Sequence, residues 1–133
     1  MRYRHFPDSL ALATKRNRRS IQSGRMELSL ADALCTGFEN GLFDKVYTVN
    51  TLYFWDDLDK GLAEMHRILK LGGMFVNTLY TKDTLDRLPM TRQGYKKYSL
   101  MQLTDASKRC GFSVKSQTGA DGKAYCMVFM KGD

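Results

Sequence analysis

The segment from Leu42 to Tyr80 constrains the fold of this chain more than any other. Residues 43–50 form a run with few charges, residues 56–70 carry apolar side chains three and four positions apart, and residues 74–80 are mostly apolar. The middle spacing is typical of an amphipathic helix, and the flanking runs are typical of buried strands. A strand, a helix and a strand in this order form a parallel crossover unit, which predicts an α/β domain.

The remaining elements follow from local signals. Met26 to Leu30 alternates apolar and polar side chains, which favours a strand, and Ser99 and Gln102 have the spacing of a capping box that opens a helix. Two apolar runs on either side of Gly119 to Lys123 predict an antiparallel hairpin. The expected strands lie at about 26–30, 43–50, 74–80, 112–118 and 124–130, and the expected helices at about 9–23, 56–70 and 99–110.

The length of 133 residues is typical of one domain, so residues 1–133 are expected to fold as a single domain. Residues 81–98 lack a regular pattern, and long loops in compact domains are usually functional, so we assign them to substrate access. No apolar run approaches the roughly 20 residues that span a bilayer. The first residues also lack the apolar core of a signal peptide. We expect a cytoplasmic protein with no membrane partner.

Basic residues are concentrated near the N-terminus. The net charge is +7, and residues 1–25 contain seven lysines and arginines, with Asp8 as the one acidic residue. Such a cluster could attract phosphate groups without reading a sequence, but charge runs usually face water. We therefore expect a solvated helix face and no nucleic-acid partner. The three cysteines are widely spaced, which indicates free thiols and no metal site.

The crossover segment also carries a resemblance to a known family. Its signature residues are Phe43, Asp44, Asn50, Glu64 and the run Arg67-Ile68-Leu69-Lys70-Leu71-Gly72-Gly73. This order resembles the class I S-adenosylmethionine-dependent methyltransferases, in which the helix commonly ends in E-x-x-R-x-L-K-P-G-G. Leu71 stands where proline is usual. The resemblance covers nearly the whole chain and implies a Rossmann-like sheet, S-adenosyl-L-methionine as cofactor and methyl transfer to a small-molecule substrate.

The resemblance further implies positions for the cofactor. An Asp-Ala pair follows the strand expected at 26–30, as in the methyltransferase segment whose acidic side chain accepts a hydrogen bond from the adenine amino group. A carboxylate suits that amine because it accepts hydrogen bonds, and the carboxyl ends of strands face the ligand crevice in such sheets. A plain loop carboxylate or a helix cap is the alternative for Asp32. The expected cofactor contacts are Asp32, Ala33, Leu34, Asn50, Thr51 and Leu52.

Three consecutive aromatic residues, Tyr53 to Trp55, follow the strand expected at 43–50. In the family this segment lines the methionine part of the cofactor and the substrate entrance, where aromatic rings could surround a sulfonium cation. The rings could equally form a hydrophobic plug between helix and sheet. The expected substrate contacts are Tyr53, Trp55 and Tyr80. No side chain stands out as a general base, so no catalytic residue is assigned.

Two features of the family pattern are missing. The family begins with a strand that leads into a glycine-rich loop, commonly G-x-G-x-G, and a second strand then ends in an acidic residue that binds the ribose. The eleven glycines of this chain form no such cluster, so it resembles an N-terminally truncated methyltransferase. Three interpretations stay open: a methyltransferase, a catalytically inactive fragment that acts as a binding or assembly module, and an unrelated basic α/β domain that binds nucleic acid.

The missing strands would lie between the strands expected at 26–30 and 43–50. Without them the second strand has no neighbour on one side, and an open strand edge is a template for pairing with another chain. Alternatively, the strand at 26–30 moves into the gap, although a parallel crossover through about a dozen residues without a helix is uncommon. We therefore expect a homodimer or a strand-exchanged oligomer.

Overall fold

The computed structural model describes residues 6–28, 31–91, 95–119 and 123–132. The chain divides into two compact units, residues 1–32 and residues 33–133. None of the described helices is both long and apolar enough to cross a membrane. That the two units together make one domain, as the length indicates, stays a prediction.

The first unit contains two short helices, α1 (Phe6–Arg16) and α2 (Arg18–Gln22). The single helix expected at 9–23 is thus interrupted at Asn17. The Asn17 side-chain nitrogen donates a hydrogen bond to the carbonyl oxygen of Ala13, 2.9 Å away, and the same oxygen accepts the Asn17 backbone N–H at 3.0 Å. Asparagine side chains compete with the helical backbone through local hydrogen bonds, which accounts for the interruption.

The strand expected at 26–30 is not found where the structure describes this segment. Residues 26–28 belong to no strand, and residues 29 and 30 lie outside the described residues. No strand of the described sheet pairs with residues 26–28. Alternation of apolar and polar side chains alone does not form a strand, because a strand is stabilised by contacts with neighbouring strands.

A four-stranded sheet is the centre of the second unit. Its strands are β1 (Phe43–Val49), β2 (Leu69–Tyr80), β3 (Phe112–Gly119) and β4 (Ala124–Lys131), in the order β1-β2-β4-β3. β1 and β2 are parallel, and β4 is antiparallel to both β2 and β3. The expected antiparallel pair is therefore present, with its second strand inserted between β2 and β3. Residues 120–122 of its connection lie outside the described residues.

Three helices accompany the sheet: α3 (Leu58–Ile68), α4 (Lys82–Asp86) and α5 (Leu100–Arg109). The capping box expected at the start of α5 is present, since the Ser99 and Gln102 side chains each bond the backbone N–H of the other. The stretch expected to be irregular at 81–98 contains α4 and a 3₁₀ turn, Pro89–Thr91. Residues 92–94 lie outside the described part of that stretch.

The helix expected at 56–70 ends at Ile68, before the glycine pair. Leu69 has extended backbone angles (φ −83°, ψ 144°) and already pairs with Phe43 as the first residue of β2. The next pair in the register joins Lys45 to Met74, so β2 bulges between them. A Cβ on Gly73 would lie 2.9 Å from the Asp44 carbonyl oxygen. Gly73 therefore permits a close approach of two strands, and it lies within β2, beyond the end of the helix.

The hydrophobic core lies between α3, α5 and one face of the sheet. Leu62 and Met65 of α3 and Leu103 of α5 are buried, and so are Phe75 of β2 and Phe129 of β4. The segment 50–55 follows the carboxyl end of β1. Its Leu52, Tyr53 and Trp55 side chains belong to this core. That segment forms the first wall of the candidate site.

Candidate functional site

The carboxyl ends of β1 and β2 lie side by side and are joined by hydrogen bonds. Asn50 follows β1 with a φ of 55°, and its N–H donates to the carbonyl oxygen of Thr78 at 2.8 Å. The Tyr53 hydroxyl donates to Asn50 Oδ1 at 3.0 Å and accepts from the N–H of Tyr80 at 2.5 Å. Tyr53 thus bridges the two strand ends and stabilises Asn50 in the left-handed region, which asparagine adopts more readily than most residues.

Tyr53 is buried, with 2% of its surface exposed. Burial raises the pKa of Tyr53 to about 12, so the hydroxyl keeps its proton at neutral pH and is a donor toward Asn50. Because its hydrogen bonds are made within the chain, the arrangement gives Tyr53 a structural role. A substrate contact by Tyr53 stays a prediction.

The other aromatic side chains of this segment also pack inward. Trp55 is buried and stacks on Phe75 with ring centroids 6.3 Å apart, and the Phe54 ring contacts Tyr95 at 4.8 Å. Such packing matches the second alternative from the sequence, in which these rings fill the space between helix and sheet and do not surround a cation. Among the three expected substrate contacts, Tyr80 presents the most surface to solvent, with 42% exposed.

A cavity of about 420 Å³ lies along β1. Ala33, Thr36 and Phe38 line it from the loop before β1, and Val46, Thr48 and Met65 line it from β1 and α3. Thr51 and Trp55 line it at the carboxyl end of the strand, and its other lining residues are Phe43, Lys45, Tyr47 and Ile68. The cavity thus brings together three residues that the sequence analysis assigned to the site and that lie far apart along the chain: Ala33, Thr51 and Trp55. Its described walls are largely apolar, with Lys45 as the basic residue among them.

The remaining expected cofactor contacts lie elsewhere. Leu52 is fully buried in the core, and Leu34 is partly buried against it. Asn50 is half-buried at the end of β1 and is not a lining residue of the cavity. Asp32 belongs to the first unit, and its side chain is exposed. Cofactor contacts by all six residues stay predictions.

A polar network joins the loop before β1 to the end of α3. Glu64 Oε2 accepts hydrogen bonds from the Thr36 N–H at 2.9 Å and the Thr36 hydroxyl at 2.6 Å. The Arg67 guanidinium donates to both Glu64 oxygens, at 2.9 and 2.7 Å, and to Asn40 Oδ1 at 2.8 Å. These donors hold the pKa of Glu64 at about 2, with the Arg67 hydrogen bonds as the largest cause.

This network was not predicted from the sequence. Glu64 and Arg67 were recognised as part of the family signature but not as an interacting pair, although residues three positions apart on a helix are neighbours. The third member, Thr36, carries no sequence signal, since it lies in a loop far from the helix. The contact depends on how the loop folds back over α3.

β1 is an edge strand of the described sheet, with β2 as its one partner. Its Tyr47 and Val49 side chains are 75% and 55% exposed. The prediction that this strand lacks a neighbour on one side therefore agrees with the described strand order. What occupies the open side is a separate question, taken up below.

Two side chains with buried polar atoms stand next to each other in the register of β1 and β2. Thr48 pairs with Asn77, and Asn77 is 1% exposed. Within the described residues, Thr48 Oγ1 and both polar atoms of the Asn77 amide have no hydrogen-bond partner. A buried amide without partners is costly, so this pair is a weak point of the sheet.

Comparison with known proteins identifies the family. The family model described as a methyltransferase domain matches residues 5–77. A demethylmenaquinone methyltransferase of Bacteroides fragilis is 34% identical over 86 residues, which make up 65% of this chain and 34% of that protein. The human protein named arginine-hydroxylase NDUFAF5, mitochondrial, is 31% identical over 84 residues, 63% of this chain and 22% of that protein. The matched segment thus spans 34% or less of the length of these relatives.

A solved structure with the same fold is geranyl diphosphate C-methyltransferase of Streptomyces coelicolor A3(2), in complex with Mg²⁺, geranyl diphosphate and S-adenosyl-L-homocysteine. It superposes with a TM-score of 0.75 at 12% identity and covers 92% of this chain and 60% of that chain. At this identity the likeness shows the fold alone, and it confirms the Rossmann-like α/β class. The family model matches more than half of the 133 residues. The chain therefore belongs to the class I S-adenosylmethionine-dependent methyltransferase family that its sequence resembles.

Proposed function

We propose that this chain contributes the adenine side and the substrate side of a site for S-adenosylmethionine-dependent methyl transfer to a small molecule. The observation that carries the proposal is the cavity along β1, which brings Ala33 and Thr51 together. The family resemblance assigns both residues to the cofactor.

The cavity suits one part of the cofactor better than another. Its apolar walls and threonine hydroxyls fit a flat heterocycle, which needs apolar contact on its faces and a few polar groups at its edge. Its described lining includes no carboxylate that could accept hydrogen bonds from ribose hydroxyls. The fit is therefore to the adenine half of the cofactor.

The bound cofactor would supply an electrophilic methyl group on a sulfonium centre. The described residues would act mainly by position: Thr51 and Trp55 at the carboxyl end of β1, and Asn50 fixed by Tyr53. Holding two reactants in line accelerates a displacement without a charged catalytic group. We propose that this positioning is the main contribution of the chain.

Calorimetric titration with S-adenosylhomocysteine tests the proposal. Asp32→Asn should weaken binding by about 1.5–3 kcal/mol, because a charge-assisted hydrogen bond to the adenine amino group is lost. Asp105→Asn, which removes an exposed carboxylate on α5, is the matched control and should bind like the wild type. Equal affinities for all three proteins would contradict the assignment of Asp32.

Failure of the wild type to bind would instead favour the catalytically inactive module. The relative named as a hydroxylase makes a direct methyl-transfer assay necessary even if binding is seen.

The basic residues Lys15, Arg16, Arg18 and Arg19 are exposed, as expected for a solvated face. Exposure suits a phosphate contact equally well, so it is the family match that disfavours the unrelated nucleic-acid-binding domain. The absence of a nucleic-acid partner and the cytoplasmic location stay predictions.

We further propose that two copies associate through the open edge of β1. Outward-facing backbone groups of an edge strand pair readily with another strand, and Tyr47 and Val49 add exposed apolar surface there. Tyr47→Lys should disrupt this association, because edge lysines discourage pairing. Met101→Lys, at a residue of α5 that is 73% exposed, is the control.

Sedimentation equilibrium decides the assembly. The wild type and Met101→Lys should sediment above the 15.2 kDa of one chain, and Tyr47→Lys should shift toward it. A wild type that sediments at 15.2 kDa would show that the edge is not used for self-association.

A further inference from the structure

We infer that Glu64 is a positioning residue for the cofactor, acting through the loop that carries Ala33 and Thr36. Glu64 is 9% exposed and is not part of the cavity lining, whereas Thr36 and Ala33 are. Its effect on a ligand in the cavity would therefore be indirect. This inference rests on the proposed function, since it concerns the same cavity.

The loop is attached to α3 at two places. At its start, both the N–H and the hydroxyl of Thr36 donate to Glu64 Oε2. At its end, the Arg67 side chain donates to Asn40, and the Arg67 carbonyl accepts the N–H of Gly41 at 2.9 Å. Glu64 and Arg67 are themselves joined by two hydrogen bonds, so one pair of side chains holds both ends of the segment 36–41.

The segment needs this support because its own backbone is permissive. Gly37 and Gly41 have φ values of +82° and +62°, and glycine loses more conformational freedom on ordering than any other residue. If a ligand had to order this loop on binding, the lost conformational entropy would reduce its affinity. The hydrogen bonds to Glu64 order the loop when the chain folds. The wall formed by Ala33, Thr36 and Phe38 is therefore already ordered in the ligand-free chain.

The charge on Glu64 is necessary for this role. An ionised carboxylate accepts four hydrogen bonds here, two from Thr36 and two from Arg67. A glutamine keeps the size of the side chain, but it offers one acceptor oxygen and places an NH₂ donor against one of these partners. Glu64→Gln should therefore loosen the segment 36–41 while leaving every cavity-lining residue unchanged.

The experiment compares S-adenosylhomocysteine affinity and loop protection in the full chain, well below the melting temperature. Glu64→Gln should weaken the affinity about tenfold and accelerate amide hydrogen exchange at residues 36–41. Thr36→Val should likewise accelerate exchange at residues 36–41, and Thr36→Ser, which keeps the hydroxyl, should exchange like the wild type. Because Thr36 lines the cavity, these two variants are compared by hydrogen exchange alone. Asp59→Asn is the matched control, because it removes a carboxylate of α3 that pairs with Arg109 and does not contact the loop.

The outcomes separate the two proposals. If the wild type binds and Glu64→Gln binds equally well, Glu64 has a structural role alone and the inference is overturned. If the wild type does not bind, the proposed function fails. Hydrogen exchange then decides the inference by itself: unchanged protection of residues 36–41 in Glu64→Gln contradicts it, and faster exchange supports the attachment of the loop.

Discussion

The Tyr53 hydroxyl accepts a hydrogen bond from the backbone N–H of Tyr80 at 2.5 Å. It thereby replaces the carbonyl partner that β1 would offer if the strand continued beyond Val49. β1 ends at Val49, and the next bond of the ladder is the Asn50 N–H to the Thr78 carbonyl. Beyond that point the Tyr80 N–H would face a gap. Tyr53 fills it and uses its proton to bind Asn50 Oδ1.

Tyr53→Phe should destabilise the chain by about 1–3 kcal/mol, because the N–H of Tyr80 and the Asn50 amide oxygen each lose a partner. The measurement is urea unfolding followed by far-UV circular dichroism. Affinity for S-adenosylhomocysteine should also fall, since Asn50 would lose the bond that stabilises its positive φ. Tyr47→Phe removes a hydroxyl from a tyrosine that is 75% exposed and should change stability by less than about 0.5 kcal/mol.

Glu64 should make the stability of the chain depend on pH in the acidic range. Its pKa is about 2 in the folded chain against an ordinary value of 4.5, so folding favours the ionised form. A lowered pKa stabilises the folded state above the unfolded value, and this contribution is lost as the pH falls through the range between them. Stability from Glu64 is thus present at neutral pH and disappears toward pH 2.

Urea unfolding of the wild type and Glu64→Gln from pH 7 to pH 3 tests this dependence. The difference in free energy of unfolding should be about 2 kcal/mol and constant above pH 5.5, and it should shrink below pH 4. Asp59→Asn, in an ion pair where both side chains are more than half exposed, should give a small difference. A Glu64→Gln difference that stays constant down to pH 3 would show that the carboxylate is not responsible.

Local signals account for the elements that the sequence predicted well. Ser99 and Gln102 act within one helical turn, and the start of α5 is where they place it. The apolar stripe of α3 likewise appears as buried Leu62 and Met65. Such patterns depend on neighbours three or four positions away, and these are present in the sequence itself.

The errors have long-range causes. α3 ends at Ile68 because Leu69 pairs with Phe43, a contact across the sheet that outweighs the helical pattern. The Glu64 network needs Thr36, which the loop brings over from 28 positions away. The expected strand is not present at residues 26–28 for the same kind of reason, since an alternating segment needs a neighbouring strand. Tertiary contacts decide these features, and a single sequence does not display them.

Replacing Asn77 by leucine should stabilise the chain. Asn77 lies between Phe75 and Leu79 on the buried face of β2, and its amide makes no hydrogen bond to any described residue. Leucine has a similar size and removes the unsatisfied polar atoms, so we expect a gain of about 1–2 kcal/mol in thermal or urea unfolding. Asn77→Asp should have the opposite effect, because it buries a charge without a partner. A loss of stability in Asn77→Leu would show that the amide has a partner after all.

Gly61 of α3 faces Trp55, and this contact should reverse the usual effect of a helical Gly→Ala substitution. Alanine normally stabilises a helix interior by about 1 kcal/mol relative to glycine. Here a Cβ would lie 2.5 Å from Trp55 Cζ3 and 2.9 Å from Cδ2, distances that atoms of a rigid buried ring cannot accommodate. Gly61→Ala should therefore destabilise the chain by about 1–3 kcal/mol through overpacking.

A double-mutant cycle isolates the contact from other effects of the substitution. Trp55→Leu removes the ring, so adding Gly61→Ala to it should cost much less than in the wild type and give a coupling of at least about 1 kcal/mol. Gly132→Ala, where nothing lies within 4 Å of the added carbon, is the control. Because Trp55 lines the cavity, Gly61→Ala should also lower S-adenosylhomocysteine affinity, as the displaced ring moves into the site. Additive effects of the two substitutions would show that α3 shifts as a body and that Gly61 does not set the position of Trp55.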